Sequence, residues 1–142
     1  MSLKERFYSI LVVSATDSFT SAFADLLPET RYYPIHNVAS ISAAKRALVE
    51  KTFDFVIINA PLPDDMGTRF AIDTCTAKPS SVLLLVKSDV HADIHDKVVD
   101  YGVFTLPKPI SKSTMLHALN WMESARDESR SEERRVGKEC RS

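Results

Sequence analysis

The sequence predicts an α/β protein, a doubly wound parallel sheet of five strands with five helices on its two faces. Short apolar runs, typical of buried strands, alternate along the chain with segments whose apolar residues recur every three or four positions, as on one face of a helix. A helix that returns the chain in a right-handed crossover keeps consecutive strands parallel. The alternation therefore favours an open parallel sheet packed between two helical layers.

Each strand is predicted from an apolar run bounded by polar or turn-forming residues. The second run contains Pro34, which cannot donate a hydrogen bond to a neighbouring strand, so we expect that strand at an edge of the sheet. The third run, Phe53-Asp-Phe-Val-Ile-Ile-Asn59, is the clearest buried strand. In chain order the five runs cover residues 8–14, 32–35 or at its longest 32–38, 53–59, 82–86 and 103–106.

Each helix is predicted from a residue that can cap its first turn and from an apolar face. Asp17 or Ser18 caps the first helix, Ser40 the second, and Ser111 or Ser113 the last. The third helix is predicted over residues 68–76. The apolar faces of the other four consist of Phe19, Phe23, Leu26 and Leu27 in the first helix, Ile41, Ala44 and Leu48 in the second, Ile94, Val98 and Tyr101 in the fourth, and Met115, Leu119 and Met122 in the last.

Length and composition place the chain among single-domain cytoplasmic proteins. Its 142 residues carry a formal net charge of -1 and include two cysteines, and a chain of this length can bury one core of ordinary size. The longest apolar run, Val82–Val86, is far shorter than the roughly 20 residues of a membrane span, and we expect no secretory signal. Two cysteines far apart in sequence predict neither a disulfide framework nor a metal cluster, which fits a reducing compartment.

The positions of the three glycines argue against two kinds of nucleotide-binding site. Gly67, Gly102 and Gly137 are too scattered for a phosphate-binding loop or a dinucleotide fingerprint, which need several glycines in one short loop. The near-neutral charge is unlike the basic excess of nucleic-acid-binding domains. We therefore expect no cofactor, no membrane contact, and no nucleic acid bound by this domain itself.

Charge is concentrated at the carboxyl end of the chain. Residues 126–142 contain 11 charged residues, whereas residues 1–125 hold 12 basic and 14 acidic ones. This tail cannot bury an apolar face, which predicts disorder. From about Glu132 it resembles translated cloning-vector sequence, and the initial Met-Ser-Leu resembles an expression leader. We therefore expect one domain over residues 6–125 and a disordered, largely vector-derived tail over residues 126–142.

The candidate site lies where the strands end. In open doubly wound sheets, ligands bind outside the carboxyl ends of the strands, at the point where the strand order reverses. Five residues end or follow four of the predicted strands, and we expect them to cluster: Ser14, Ala15, Asn59, Val86 and Lys108.

Three segments carry a resemblance to a known family: Ile10-Leu-Val-Val13, Phe53-Asp-Phe-Val-Ile-Ile-Asn-Ala-Pro-Leu-Pro-Asp-Asp-Met-Gly67 and Gly102-Val-Phe-Thr-Leu-Pro-Lys-Pro-Ile110. Over residues 6 to about 124, the chain resembles the receiver domain of bacterial two-component response regulators. The most specific parts are the Leu-Pro followed by Gly after the third strand and the Pro-Lys-Pro after the fifth. The resemblance implies the flavodoxin-like, CheY-like fold with strand order 2-1-3-4-5, and a role in phosphorelay signal transduction and gene regulation.

The resemblance also assigns roles to the candidate residues. In that family an aspartate at the end of the third strand accepts a phosphoryl group, and two acidic residues after the first strand hold magnesium. A hydroxyl residue after the fourth strand and a lysine after the fifth contact the phosphoryl oxygens. On this chain the acceptor position falls on Asn59, the acidic pair on Ser14 and Ala15, the hydroxyl residue on Val86, and the lysine on Lys108.

Three parts of that phosphorylation site are therefore missing. The amide of Asn59 is neutral and a very poor nucleophile. Ser14 and Ala15 supply no carboxylate for magnesium, the ion that offsets the charge developed in phosphoryl transfer. Val86 cannot make the hydrogen bond that would report phosphorylation. We expect a degenerate receiver, or pseudo-receiver, that is not an enzyme, is not phosphorylated and acts through protein contact.

Alternatives to this interpretation remain open. Asp64 or Asp65 could serve as a non-standard phosphoacceptor or metal ligand, although turn chemistry alone explains a Pro-Asp-Asp sequence. A small flavodoxin-like enzyme would need a nucleophile and a base at the strand ends, and Ser14 has no evident histidine partner there. Lys108 could be a structural relic that pairs with Asp17 or Asp64.

Two further groups have competing explanations. His91 and His95, spaced i and i+4 beside Asp93 and Asp96, form a candidate metal-binding face, but with no third ligand identified they are also typical of a solvated helix end. Cys75 lies in a predicted helix, where a small buried apolar role is expected.

The last predicted helix carries a candidate interface. Trp121 points away from its apolar face, near His117, which predicts an exposed tryptophan; the alternative is that it lies flat over an adjacent helix. In receivers the fourth helix, fifth strand and fifth helix make dimer and output contacts. The resemblance therefore favours Tyr101, His117 and Trp121 as an interface for a homodimer or a partner protein. Residues 103–110 especially resemble receivers that precede ANTAR, an RNA-binding antiterminator output that we do not find in this sequence.

Overall fold

The computed structural model describes residues 8–26, 32–60, 62–64, 67–77 and 80–124. The predicted tail over residues 126–142, Asp65 and Leu27 lie outside the described residues. The chain divides into two compact units, Met1–Pro109 and Ile110–Ser142. Within the described residues, the first unit contains the sheet and four α-helices, and the second contains one helix.

The strands and helices alternate along the chain, as the apolar runs predict. Their bounds are β1 Tyr8–Val13, α1 Asp17–Leu26, β2 Tyr32–Val38, α2 Ile41–Glu50, β3 Phe55–Asn59, α3 Thr68–Ala77, β4 Ser81–Lys87, α4 His91–Val98, a 3-10 turn Val99–Tyr101, and β5 Phe104–Lys108. The last helix, α5, covers residues 112–124.

The five strands form one parallel sheet in the order β2-β1-β3-β4-β5, which confirms the expected order. The strand that contains Pro34 lies at an edge of the sheet, where one side of the strand needs no donor. The three central strands, β1, β3 and β4, are almost entirely buried. Because the chain reverses its direction of travel between β1 and β3, the carboxyl ends of these two strands border the crevice where such sheets hold their sites.

One apolar core of the first unit lies against α2, α3 and α4. Side chains alternate between the two faces of each strand. On one face of the sheet, the central strands contribute seven buried apolar side chains: Leu11, Val13, Val56, Ile58, Val82, Leu84 and Val86. The helices complete this cluster with Ile41, Ala44 and Leu48 of α2, Phe70 and Ala71 of α3, and Ile94 and Val98 of α4. The alternation places Val86 in this core.

The start of β3 and the end of β5 differ from the sequence prediction by two residues, and the bounds of β1 and β4 and the start of β5 differ by one. β3 begins at Phe55 and not at residue 53, because the Asp54 carboxylate accepts a hydrogen bond from the Ser9 backbone N–H at 2.9 Å and the chain bends there. β5 extends to Lys108 and includes Pro107, which an edge strand accommodates because its outer side needs no donor.

The expected apolar face of α4 is wrong at its last position. The helix ends at Val98, and Tyr101 lies in the 3-10 turn with 49% of its surface exposed. Gly102 closes that turn at φ +86°, a left-handed conformation that glycine adopts without a steric penalty.

Comparing alanine substitutions at Gly67, just before α3, and at Gly102 tests how tightly the side chains pack around Gly67. Both have positive φ, but a Cβ added at Gly67 would lie 3.1 Å from the Cγ2 atom of Ile58, whereas at Gly102 the nearest atom is Cys75 Sγ at 3.6 Å. We expect Gly102→Ala to lower the free energy of unfolding by about 1 kcal/mol. Gly67→Ala should cost about 2 kcal/mol or more, because the Ile58 contact adds overpacking. Urea unfolding of both variants measures this difference, and equal losses would contradict the packing argument.

None of the helices in the described part of the chain is long and apolar enough to cross a membrane.

Candidate functional site

Three of the five predicted site residues meet at the carboxyl ends of the strands. Asn59 is the last residue of β3, Ser14 follows β1, and Lys108 is the last residue of β5. Asn59 and Ser14 are buried, and Lys108 is half-buried. Although β4 separates β3 from β5 in the sheet, the long lysine side chain spans this distance and reaches Asn59.

A continuous set of hydrogen bonds joins these three side chains, and we call it the Lys108–Asn59–Ser14 chain. Lys108 Nζ donates to Asn59 Oδ1 at 2.9 Å and to the backbone carbonyl of Ala60 at 2.6 Å. At its other end the amide donates through Nδ2 to Ser14 Oγ at 3.1 Å. Ser14 Oγ also accepts a hydrogen bond from the Thr16 backbone N–H at 3.1 Å. The amide orientation follows from its neighbours, because an ammonium group can only donate.

Lys108 occupies an electrostatically unfavourable place for a cation. Burial lowers the pKa of its ammonium group, and the positive charge of Lys87 lowers it further. Lys87 is the register partner of Lys108 on the neighbouring strand β4. The expected pairing of Lys108 with Asp17 or Asp64 is wrong, since the structure satisfies the ammonium with two neutral oxygens. The Lys108–Pro109 peptide bond is cis.

Asp64 instead bonds to the start of the second helix, beside the expected cap Ser40, whose Oγ accepts the Ala43 backbone N–H at 3.1 Å. Asp64 Oδ1 accepts the Ile41 backbone N–H at 3.0 Å, and its Oδ2 accepts the Ser42 backbone N–H at 3.1 Å and the Ser42 hydroxyl at 3.3 Å. These N–H groups would otherwise lack acceptors at the start of α2. The hydrogen bonds from Ile41 and Ser42 lower the pKa of the Asp64 carboxyl.

The Asp64 cap predicts a pH-dependent stability. A carboxyl whose pKa is lower in the folded state stabilises the protein above its unfolded pKa of about 3.9, and this contribution is lost as the pH falls through the folded pKa. We expect Asp64→Asn to lower the urea midpoint at pH 7, and the difference from wild type to shrink as the pH falls below about 4. A difference that stays constant over this range would contradict the charged cap.

Ser14 shows no sign of an activated nucleophile. Its hydroxyl donates to the Thr16 carbonyl at 3.4 Å and accepts from Asn59 and from the Thr16 backbone N–H, so none of its hydrogen-bond partners is a base. Nucleophilic catalysis by serine needs an adjacent general base. The two remaining predicted residues contribute no polar side-chain atom: Ala15 is exposed after β1, and Val86 is buried near the end of β4.

The residues at this site do not fit magnesium. The ion prefers carboxylates and water in octahedral geometry. Asn59 Oδ1, an oxygen that could act as a ligand, faces the Lys108 ammonium, whose charge would repel a cation. The Asp64 carboxylate already accepts hydrogen bonds from the first backbone N–H groups of α2.

The other predicted candidates lie elsewhere on the first unit. His91 and His95 are on α4, and both contact Thr105 of β5, a residue that the sequence reasoning missed. No group of three or more His, Cys, Asp or Glu side chains suited to a metal occurs within residues 8–124 where the structure describes them. Cys75 is half-buried, and burial raises the pKa of its thiol, which agrees with the expected apolar role.

The predicted interface residues are exposed. Trp121 of α5 has 70% of its surface exposed, and His117 of the same helix is exposed too. The alternative that Trp121 lies flat and covered over a helix is wrong. Met115, Leu119 and Met122, the predicted apolar face of α5, are buried.

The sequence reasoning also missed the main-chain partners of the site. The carbonyl of Ala60 and the N–H of Thr16 complete the Lys108–Asn59–Ser14 chain. Backbone groups are present at every residue, so no sequence signal distinguishes these two.

No protein-family model and no curated protein sequence matches the chain, but solved structures do. The signal receiver domain of an HD domain-containing protein from Pseudomonas fluorescens Pf-5 matches with a TM-score of 0.76 at 22% identity, covering 89% of this chain and 93% of that chain. A CheY-like response regulator receiver domain protein from Methanospirillum hungatei JF-1 matches with a TM-score of 0.76 at 13% identity, covering 87% and 99%. This chain has the receiver fold.

A third receiver fold of this kind is known as a dimer. The beryllofluoride-activated NtrC4 receiver domain dimer matches with a TM-score of 0.72 at 22% identity, covering 83% of this chain and 98% of that chain. These identities establish the fold, and they confirm the architecture that the sequence resemblance implies.

Proposed function

We propose that this chain is a cytoplasmic signalling module with a receiver fold that works through protein contact, without aspartyl phosphorylation and without enzymatic activity. One observation carries the proposal. At the end of β3 the structure has the amide of Asn59, with its oxygen bonded to Lys108 and its nitrogen to Ser14.

The chemistry of the Lys108–Asn59–Ser14 chain supports this proposal. A neutral amide is a very poor nucleophile toward phosphorus, and both ends of this amide are already hydrogen-bonded. The ammonium of Lys108, which the resemblance assigns to a phosphoryl group, is held by Asn59 and Ala60. The buried Val86 offers no hydroxyl to sense a change at Asn59.

The alternative functions have weaker support. A phosphoacceptor role for Asp64 would have to displace three hydrogen bonds that cap α2. Asp65, the other candidate, lies outside the described residues. A small flavodoxin-like enzyme would need a base beside Ser14, and its observed partners are an amide and backbone groups.

Intact-mass measurement tests the absence of phosphorylation. The protein is incubated with Mg²⁺ and an excess of a small phosphodonor, and its mass is followed over time. We expect no change in mass. A gain of one phosphoryl group would contradict the proposal, and peptide mapping would then show whether Asp64 or another carboxylate accepted it.

We further propose that contact occurs through Tyr101, His117 and Trp121, either between two copies of the chain or with a partner protein. Large exposed aromatic side chains are enriched at interface hot spots. Tyr101 and Trp121 are two of the exposed large hydrophobic residues, at 49% and 70%. The NtrC4 receiver domain, which has the same fold, forms a dimer.

Sedimentation tests the homodimer. We expect the wild type to self-associate. Trp121→Ala should raise the dissociation constant about thirtyfold, which corresponds to the loss of a hot spot of about 2 kcal/mol. Val49→Ala is the matched control, since Val49 is also apolar and is 83% exposed, on α2. If all three proteins remain monomers over a wide concentration range, the homodimer is contradicted.

We also propose that the module regulates gene expression through an RNA-binding output of the ANTAR type. The similarity of residues 103–110 to receivers that precede this output supports the proposal. The reading frame beyond residue 128 in the source gene is the test. A helical ANTAR-type output there would support it, and an output of another class would contradict it.

A further inference from the structure

Three side chains on α4 and β5 form a polar cluster that the proposed function does not use. Thr105 Oγ1 lies 2.9 Å from His95 Nδ1 and 3.2 Å from His91 Nε2. The two imidazole rings are 5.8 Å apart, with an angle of 30° between their planes. All three residues are half-buried, so the cluster is accessible to solutes yet held by its surroundings.

Both histidines direct a ring nitrogen toward the same point. An imidazole nitrogen makes its hydrogen bond in the plane of the ring, along the direction in which it would also bind a metal ion. Since both nitrogens contact one hydroxyl oxygen, these two directions converge near Thr105. The i, i+4 spacing on one helix face is the arrangement by which helical histidine pairs bind zinc.

The Thr105 hydroxyl can form a hydrogen bond with each of the two rings when no metal ion is bound. Thr105 has one hydroxyl proton, so it donates to one ring nitrogen and accepts from the N–H of the other. Each ring can instead carry its proton on its outer nitrogen. Both inner nitrogens then present lone pairs to the same small volume.

We propose that His91 and His95 form a two-nitrogen site for a divalent transition-metal ion, with Zn²⁺ as the reference ion. Imidazole nitrogen is a preferred ligand for Zn²⁺ and for neighbouring transition metals, at about 2.0–2.1 Å from zinc. Water completes the coordination, and the Thr105 hydroxyl either joins it or bonds to a bound water. The site links α4 to β5, and it stands independently of the proposed signalling function.

Isothermal titration of the full chain with Zn²⁺ tests this site. To exclude the thiols, every protein carries Cys75→Ser and Cys140→Ser. We expect one ion per chain, and His91→Ala and His95→Ala should each weaken binding by about tenfold or more. The matched control is His36→Ala, which removes a histidine on β2, at the opposite edge of the sheet from β5, and should leave the affinity unchanged. Mg²⁺ should not bind, because it takes oxygen ligands.

A second measurement on the protein with all four histidines avoids dependence on how the variants fold. Nitrogen-15 spectra of the imidazole rings should show the Zn²⁺-induced shift at His91 Nε2 and His95 Nδ1, the nitrogens that face Thr105. Absence of Zn²⁺ binding at millimolar concentration would overturn the proposal. Binding that survives either single variant unchanged, or shifts confined to other histidines, would overturn it as well. None of these outcomes bears on phosphorylation or self-association.

Discussion

Replacing Leu84 with alanine is expected to lower the free energy of unfolding by about 2–5 kcal/mol. Leu84 is fully buried in the central strand β4, beside Ile58 of β3 in the sheet register. A Cβ added at Gly67 would lie 3.8 Å from the Cδ1 atom of Leu84. Because strands on both sides hold β4 in place, the neighbours cannot close the cavity that the smaller side chain leaves.

Urea unfolding followed by circular dichroism measures this loss, and Val49→Ala provides the control. Val49 is 83% exposed on α2, so the same kind of truncation there should change stability by no more than about 0.5 kcal/mol. A loss below about 1 kcal/mol for Leu84→Ala would contradict the packing of the central strands.

Replacing Asn59 with leucine is expected to lower the free energy of unfolding by about 2 kcal/mol. The change removes the acceptor of a hydrogen bond from a charged donor, which contributes about 1.5–3 kcal/mol in proteins. It also removes the donor that Ser14 Oγ uses in a buried position. Lys108 keeps the carbonyl of Ala60, which limits the loss.

Asn59→Asp is the matched comparison for this prediction. The carboxylate keeps an acceptor for Lys108, and its negative charge favours the charged lysine. The Ser14 hydroxyl can rotate to donate to it. We therefore expect Asn59→Asp to be less destabilising than Asn59→Leu at neutral pH in the same urea assay. Equal destabilisation would mean that the contact with Lys108 contributes nothing.

The sequence predicts the fold well because the signals are strong and local. Buried strands such as β3 and β4 are apolar throughout, and Pro34 marks an edge strand for a simple reason, its missing N–H. The end of α4 is different. Spacing alone extends its apolar face to Tyr101, but the helix tightens into a 3-10 turn closed by Gly102 and turns this side chain toward solvent.

The site was predictable in its location and not in its contacts. Strand ends bring Ser14 and Asn59 together in any parallel sheet with this order, so their proximity follows from topology. The hydrogen-bond partner of Lys108 does not follow from topology, because a long flexible side chain can reach several acceptors. Charge alone favours an aspartate as the partner of Lys108. In the structure, Asp64 accepts hydrogen bonds from the backbone of α2, and Lys108 donates to the side-chain amide of Asn59 and to the carbonyl of Ala60.

The meeting of His91, His95 and Thr105 was also beyond the sequence. The histidine spacing is visible in the chain, but the threonine comes from the neighbouring strand, and its register with α4 depends on the whole packing of the first unit.

The central claim is that the phosphorylation site is lost in several parts at once. The most direct test measures the intact mass of a series of variants after incubation with Mg²⁺ and a small phosphodonor. The series comprises wild type, Asn59→Asp, and the triple variant Ser14→Asp/Ala15→Asp/Asn59→Asp, each checked for folding by circular dichroism. We predict that wild type and the single variant keep their mass, because neither has a carboxylate at position 14 or 15 to hold magnesium, and that the triple variant gains one phosphoryl group. A phosphoryl group on the wild type, or one acquired as readily by Asn59→Asp as by the triple variant, would contradict the account.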